Sequence, residues 1–219
     1  MFAQIKNPNI SEGVSRVFLL SRWQDSNLRP PAPKAGWISL IVLLIYNMSL
    51  TIKTKRIELK KFSKNDINLL FELDGDSDVM KYLSLGKART IDEVKKESMP
   101  RILKSYTNGI NYGIFPAYLK SNNTYIGWFQ FEKDKHIENA IEVGWRLKKE
   151  HWGNGYATEV GLSLVKKAKV LNKKVVARAM IDNRASIRVM EKIGLKFVKE
   201  FWADYDPHSG TPDVLYELS

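Results

Sequence analysis

The sequence predicts an α/β (α+β) domain, with a mixed, mostly antiparallel central sheet and flanking helices. Three observations carry that expectation. Strand-like stretches recur from Thr54 to Leu218, either alternating in polarity or continuously apolar. Three of them follow one another through polar turns, as a meander does. One long amphipathic stretch, Tyr156–Leu171, separates the third from a further strand, and a shorter helical stretch follows that strand. There is no internal repeat. The expected order is β-α-α-β-β-β-α-β-α-β-β.

Thr54–Lys60 alternates, with Ile57 and Leu59 on one side and Glu58 and Lys60 on the other, and reads as the first strand. Ser63 stands where a helix N-cap belongs, with Asp66 three residues on in the capping-box place. Ile67, Leu70 and Phe71 form the apolar stripe of a short helix that stops at Asp74-Gly75. Thr90 caps a second helix, and Glu93 completes a full capping box. Pro100 predicts a break or kink near Met99, because its ring removes a donor and crowds the preceding turn.

Tyr112–Leu119, Thr124–Glu132 and Glu138–Leu147 are the three extended segments. Asn122-Asn123 turns between the first two, and Pro116 predicts that the first is irregular or an edge. Lys148–Gly155 is a polar, glycine-containing loop. The helix Tyr156–Leu171 sets Val160, Leu164, Ala168 and Leu171 on one face. Lys174–Met180 reads as a strand and Arg184–Ile193 as a helix closed by Gly194. Leu195–Ala203 and Val214–Leu218 are the last strands.

The 219-residue chain is 44% hydrophobic and 27% charged, has no cysteine and carries a formal net charge of +11. This composition is that of a globular chain. Without cysteine there is no disulfide framework, thiolate zinc site, iron–sulfur cluster or cysteine nucleophile. The basic excess suits nucleic acid, a membrane surface, an anionic cofactor or a solvated lysine-rich surface alike. Lysines outnumber arginines 25 to 10 and are scattered, which favours the last. His136, His151 and His208 have no ligand spacing among themselves, so no metal is expected. Trp128, Trp145, Trp152 and Trp202 read as core or cofactor-wall aromatics.

Met1–Asn47 departs from the rest. Its apolar run, Trp37–Tyr46, has ten residues, against roughly 20 for a membrane-spanning helix. The run also starts too late for a signal peptide and lacks a small-residue cleavage site after it. Arg22-Trp23-Gln24-Asp25-Ser26-Asn27-Leu28-Arg29-Pro30 resembles a peptide translated across a transfer RNA gene. GGATTCGAACC, the complement of the T-arm consensus, reads Asp-Ser-Asn in one frame, as at Asp25-Ser26-Asn27. The expectation is therefore a true start at Met48, with 1–47 a leader of non-native translation and 48–219 a single domain. The leader holds a net +3, which leaves about +8 on the following 172 residues.

The chemistry concentrates in Glu150-His151-Trp152-Gly153-Asn154-Gly155-Tyr156-Ala157-Thr158-Glu159, which follows a strand and opens the long helix. Gly153 and Gly155 let backbone amides approach a ligand closely. The helix start adds unsatisfied N–H groups and a partial positive charge, which together suit a phosphate or pyrophosphate. The loop is not a Walker loop, since GKS/T is absent, and the preceding meander does not suit a dinucleotide fold.

These residues resemble the GNAT N-acetyltransferases, and within them the branch that acetylates ribosomal-protein N-termini. The likeness spans about Lys53–Leu218. Thr54-Lys55-Arg56-Ile57-Glu58-Leu59 resembles the family's first strand and Ile141-Glu142-Val143-Gly144-Trp145 its fourth. His151–Glu159 resembles its acetyl-CoA loop, and Asn183–Leu195 its N-x-x-S…G segment after the fifth strand. Glu150 departs from the Gln or Arg of many such loops, removing one phosphate contact. The resemblance implies a sheet splayed between strands 4 and 5, with acetyl-CoA in the gap. The pyrophosphate would lie on the amides of Trp152, Gly153, Asn154, Gly155 and Tyr156, with Ala157 beside them. The pantetheine would pair with the backbone of Val143, Trp145 and Leu147. Asn183 would hold the pantetheine or the helix start.

Transfer by direct attack of an amine on the thioester needs neither metal nor thiol. The amine must be neutral. About a tenth to a sixth of an α-amino group is neutral at pH 7, against well under about one part in a thousand of a lysine. Glu142 is the candidate base, directly or through water, and Ser186 the candidate donor to the leaving sulfur. Each also reads as structural, Glu142 in an ion pair and Ser186 in the first turn of its helix. Tyr205, Asp206 and His208, in the last hairpin loop, either border the acceptor site or form a plain turn.

The acceptor favoured by the resemblance is a protein N-terminus, such as that of a ribosomal protein, with a polyamine or aminoglycoside-type amine as the alternative. A non-catalytic module binding acyl-CoA or RNA is the competing class. No direct nucleic-acid or membrane partner is expected, the location is expected to be cytoplasmic, and the assembly a monomer or homodimer. Mass spectrometry of the native protein tests the leader: the first peptide should begin at Met48, and any peptide from upstream of it contradicts the expectation.

Overall fold

The structure is a computed structural model that describes residues 52–83, 86–109, 111–202 and 210–218. The leader, Met48 and the 203–209 loop with Tyr205, Asp206 and His208 lie outside the described residues. The strands are β1 (Ile57–Leu59), β2 (Gly113–Leu119), β3 (Tyr125–Lys133), β4 (Ala140–Leu147), β5 (Lys174–Met180), β6 (Lys196–Phe201) and β7 (Asp213–Glu217). The helices are α1 (Ile67–Asp74), α2 (Ser77–Met80), α3 (residues 91–105), α4 (Tyr156–Val170) and α5 (Arg184–Lys192). Among the described residues, the strands form one sheet in the order β1-β2-β3-β4-β5-β7-β6. Only β4 and β5 run parallel; every other pair is antiparallel.

Local chemistry explains where elements start and stop. Ser63 and Asp66 do pair, with the Ser63 N–H and Oγ donating to Asp66 Oδ2 at 2.7 and 2.8 Å. They close a turn ahead of α1, however, and Asp66, not Ser63, is the N-cap residue. Thr90 and Glu93 form the full capping box at the start of α3. The break expected near Met99 is present within α3, just ahead of Pro100. The strain is absorbed just before it, as a π-helical turn over Val94–Ser98, and α-helix resumes over Met99–Ser105. Asp76 caps the additional short helix α2 through the Asp78 and Val79 amides.

Pro116 does not make β2 an edge strand, because β2 lies between β1 and β3. The Lys60 N–H donates to the Pro116 carbonyl at 2.9 Å, so Pro116 turns its backbone toward β1. Its missing N–H falls where β1 ends, while the expected irregularity is present as a register shift against β3 between Ala117 and Tyr118. β1 itself is shorter than expected, since Thr54 closes a turn on Ile57 through paired bonds of 2.8 and 3.1 Å.

Helices cover both faces. On one, α4 buries Val160, Leu164, Val165 and Ala168 against Ile141, Val143, Leu147 and Val175. Each of the larger aliphatic side chains contributes about 1.5–3 kcal/mol by leaving water. On the other face, α1 and α3 bury Leu70, Leu73, Val94, Met99 and Ile102 against Ile114 and Trp128. Beneath this second layer lies a buried ion pair. Arg146 of β4 donates to Asp74 at the end of α1, and Ser98 Oγ donates to the other Asp74 oxygen at 3.0 Å. Burial pulls the Arg146 guanidinium below its ordinary value, against the pull of Asp74. The guanidinium also stacks 4.9 Å over the Trp128 ring.

Asp74→Asn should therefore cost about 3–5 kcal/mol, because it leaves a buried guanidinium without its counter-charge. Urea unfolding checks this; a loss below about 1 kcal/mol would show that the pair is not buried as described.

Candidate functional site

The site begins where two strands part. β4 and β5 pair only over Ala140–Lys174, Ile141–Val175 and Glu142–Val176. Beyond Glu142, β4 continues to Leu147 along β3 alone. Flanking bonds fix which way its backbone points. The Lys148 N–H donates to the Ile126 carbonyl and the Asp134 N–H to the Ala140 carbonyl, so the even residues of β4 bond toward β3. On the opposite side the Lys174 N–H donates to the Asn139 carbonyl. Trp145 and Leu147 thus turn their N–H and C=O groups into the opening, and Val143 its carbonyl alone, since its N–H closes the last β4–β5 bridge on the Val176 carbonyl. Their side chains pack into the α4-side core, Val143 and Leu147 buried and Trp145 partly so. Any contact they offer a ligand is through the backbone. The Leu147 carbonyl is already occupied, accepting from Trp152 Nε1 at 2.7 Å.

The loop that caps this opening has the shape its glycines predict. Lys149–His151 makes a short 3-10 turn, and Gly153 and Gly155 take φ of +74° and +76°, which disfavour any residue with a Cβ. Gly155 is the N-cap residue of α4 and supplies no side-chain bond, so the first-turn amides of Tyr156 and Ala157 face outward uncapped by a side chain. Trp152, Gly153, Asn154 and Gly155 are exposed. Asn154 Nδ2 donates to the Trp152 carbonyl at 3.0 Å and stiffens the turn. The His151 ring stands 6.3 Å from that of Tyr156, tilted against it. Trp128 is a core aromatic, whereas Trp202 is exposed.

Three residues that the sequence reading left without a role hold this helix start in place. Glu159, in the first turn of α4, accepts from Thr54 Oγ at 2.5 Å, the Arg56 N–H at 2.8 Å and Arg56 Nε at 2.6 Å. The Arg56 guanidinium lies 4.5 Å over the Tyr156 ring. Burial works against the Glu159 charge, yet the bonds from Thr54 and Arg56 hold its carboxyl below the usual value. The signal was present in Thr54-Lys55-Arg56 and Glu159, but a pairing across more than a hundred residues has no spacing to read.

The acid–base candidates sit on two sides of the opening. Asn183 is the N-cap of α5, its Oδ1 accepting the Ser186 N–H at 3.1 Å, so it holds the helix start. Ser186 lies partly exposed in the first turn. Glu142 lies on the opposite face of the sheet from α4, at the last paired position of β4. Its oxygens accept from Gln130 Nε2 at 3.0 Å and Arg178 NH1 at 3.1 Å. Arg178 also donates to Asp134, and although burial opposes its charge, the two carboxylates hold the guanidinium above its ordinary value. Glu142, on β4, and Ser186, in α5 beyond β5, are thus on different elements and different faces of the sheet, flanking the opening rather than touching. Among the described residues no group of His, Asp and Glu is arranged to hold a metal ion. No helix among them is long and apolar enough to cross a membrane.

Comparison with known proteins gives one family. The family described as "Acetyltransferase (GNAT) domain" matches residues 56–196. The uncharacterized N-acetyltransferase YnaD of Bacillus subtilis is 30% identical over 166 residues, covering 70% of this chain and 93% of that protein. A solved GNAT-family acetyltransferase from Bacillus anthracis superposes with a TM-score of 0.64 at 26% identity, over 77% of this chain and 98% of that one. RimL, a ribosomal alpha-N-protein acetyltransferase solved with coenzyme A, shares the fold at 17% identity. Its TM-score is 0.62, over 75% of this chain and 94% of that one.

Glu159→Gln should lower stability at neutral pH by about 1–3 kcal/mol, the scale of bonds to a charged group. The Glu159 carboxyl is held down in the folded state, so its contribution is present above the unfolded value of 4.5 and is lost as pH falls through the lower folded value. Urea unfolding from pH 7 to pH 3 checks this. Wild type should lose stability below about pH 4.5 more steeply than the variant, and parallel curves would remove the assignment.

Proposed function

The chain belongs to the GNAT acetyltransferase family, and from that membership we propose that it moves the acetyl group of acetyl-CoA to a primary amine by direct attack. The observation that supports this most is the parting of β4 and β5 beneath a glycine loop that opens a helix. In this reading acetyl-CoA lies in the opening, its pantetheine bonding to the backbone of Val143 and Trp145 as a missing strand would. Its pyrophosphate takes the amides from Gly153 to Tyr156, with Ala157 behind them, while the Trp152 N–H, expected to join them, already donates to the Lys149 carbonyl at 3.1 Å. Leu147 contributes less than expected, because Trp152 already occupies its carbonyl.

The acceptor enters on the face that carries Glu142. Both oxygens of Glu142 already receive a donor, so its part is to hold the incoming ammonium through the remaining lone pairs. Ser186 supplies a hydroxyl to the thiolate as the C–S bond breaks. A protein N-terminal amine, such as that of a ribosomal protein, is the favoured acceptor, supported by the branch resemblance of the sequence and by the fold shared with RimL. A polyamine or aminoglycoside-type amine is the second reading; the family fold serves either. The working unit in this reading is residues 48–219, acting in the cytoplasm.

Isothermal titration with acetyl-CoA should show one site per chain, followed by thiol release in a screen of N-terminal peptides, polyamines and aminoglycosides. Ser186→Ala should lower kcat about 10-fold or more with acetyl-CoA affinity nearly unchanged, as removal of one proton donor does. Absence of acetyl-CoA binding would overturn the reading, and binding without turnover on any amine would favour a non-catalytic acyl-CoA module.

A further inference from the structure

The reaction proposed above leaves one proton without a carrier. An amine arriving as R–NH3+ must lose a proton before its nitrogen can attack, and Glu142 is engaged by Arg178 and Gln130. The residue directly across the ladder from Glu142 is Glu132 of β3. Paired residues of adjacent antiparallel strands share a face, so both carboxylates stand on the side of the sheet away from α4. They sit at the level where β4 and β5 part, since Glu142 is the last residue of β4 paired with β5.

The two carboxylates have opposite surroundings. Glu142 is clamped by a guanidinium and an amide. Glu132 is half-buried, and among the described residues it has no hydrogen bond or ion pair. Arg101 from α3, Lys135 from the turn after β3 and Glu142 from β4 act on it through space. Tyr106, at the end of α3, also lies near enough to feel its charge, but gives its hydroxyl to the Ile114 carbonyl. On β5, Arg178 answers Asp134 and Glu142. Two like charges on facing residues are costly unless one is compensated, and here the compensated one is Glu142. Burial, opposed by Arg101 and helped by Glu142, pushes the Glu132 carboxyl above its ordinary value. Carboxylates set apart by their surroundings in this way divide acid–base labour.

We propose that Glu132 is the general base of the transfer, taking the proton of the ammonium that Glu142 holds, directly or through one water. This rests on the acetyltransferase reading above and names a residue for it. The step balances. Glu132 takes one N–H proton of R–NH3+, and the nitrogen lone pair attacks the thioester carbon. The C–N bond forms, and the C–S pair leaves on sulfur. The second N–H proton goes to the thiolate, giving amide and CoA thiol, and Glu132 releases its proton to solvent. Such a base favours acceptors that are cationic at neutral pH over amines that are already neutral.

The test has two arms on the full-length protein. In the first, glutamate carboxyl carbons are labelled with 13C and titrated by NMR, the Glu132 signal being the one missing from Glu132→Gln. It should titrate above the ordinary carboxylate range. A midpoint inside that range overturns the proposal, whichever acceptor the enzyme uses. In the second, CoA release is followed against pH with ethylamine, a strong base, and with hydroxylamine, which is neutral at pH 7. Glu132→Gln should lower kcat/KM for ethylamine about 100-fold and abolish the acid limb of its profile, while hydroxylamine turnover changes less than about threefold. Glu142→Gln should act mainly on KM. Equal loss with both amines, or an unchanged acid limb, overturns the assignment. Failure of the wild type to bind acetyl-CoA is a separate result that removes the acetyltransferase reading, and the carboxyl titration then still decides whether Glu132 is poised as a base.

Discussion

A strand that loses its neighbour must find partners for its backbone, and this constraint organises the molecule. β4 has β3 along its whole length but β5 along only its first three residues. The carbonyl of Val143 and the N–H and C=O groups of Trp145 face the resulting opening. Peptide groups near a protein interior are almost always bonded, so an opening of this kind calls for an extended, amide-bearing ligand or for water. The pantetheine arm of CoA carries two amides and has the required form. In the proposed reading, the glycine loop at the end of the opening supplies amides for the charged end of the same ligand.

The rest of the structure holds the two sides of that opening fixed. On the α4 side the aliphatic stripe of Val160, Leu164 and Ala168 docks the helix, and Glu159 ties its first turn to Thr54 and Arg56. On the other side the buried Asp74–Arg146 pair pins the end of α1 to the far part of β4. Asp134, Arg178 and Glu142 bridge β5 to β3 and β4 at the point where pairing ends. The opening is therefore framed by ion pairs that join elements far apart in the chain.

Much of this was legible in the sequence, for identifiable reasons. Alternation and capping signals report local free-energy preferences, and they located Thr90, the β3–β4 segments and the 3.6-residue stripe of α4. Gly153 and Gly155 were readable because only glycine takes positive φ at no steric cost. What failed was long-range. That β2 is not an edge strand depends on β1, which lies outside it. The clamp on Glu142 needed Arg178 from a strand 36 residues away, and the pairing of Glu132 with Glu142 follows from register, which no single segment contains.

The central claim is that the unpaired edge of β4 is completed by acetyl-CoA. Amide hydrogen exchange of Trp145, read with and without acetyl-CoA, tests it directly. Saturating acetyl-CoA should slow exchange at Trp145 by at least about tenfold together with the amides of Gly153–Tyr156, as expected when exposed donors gain a partner. Exchange at Trp145 that is unchanged while acetyl-CoA is bound would contradict it.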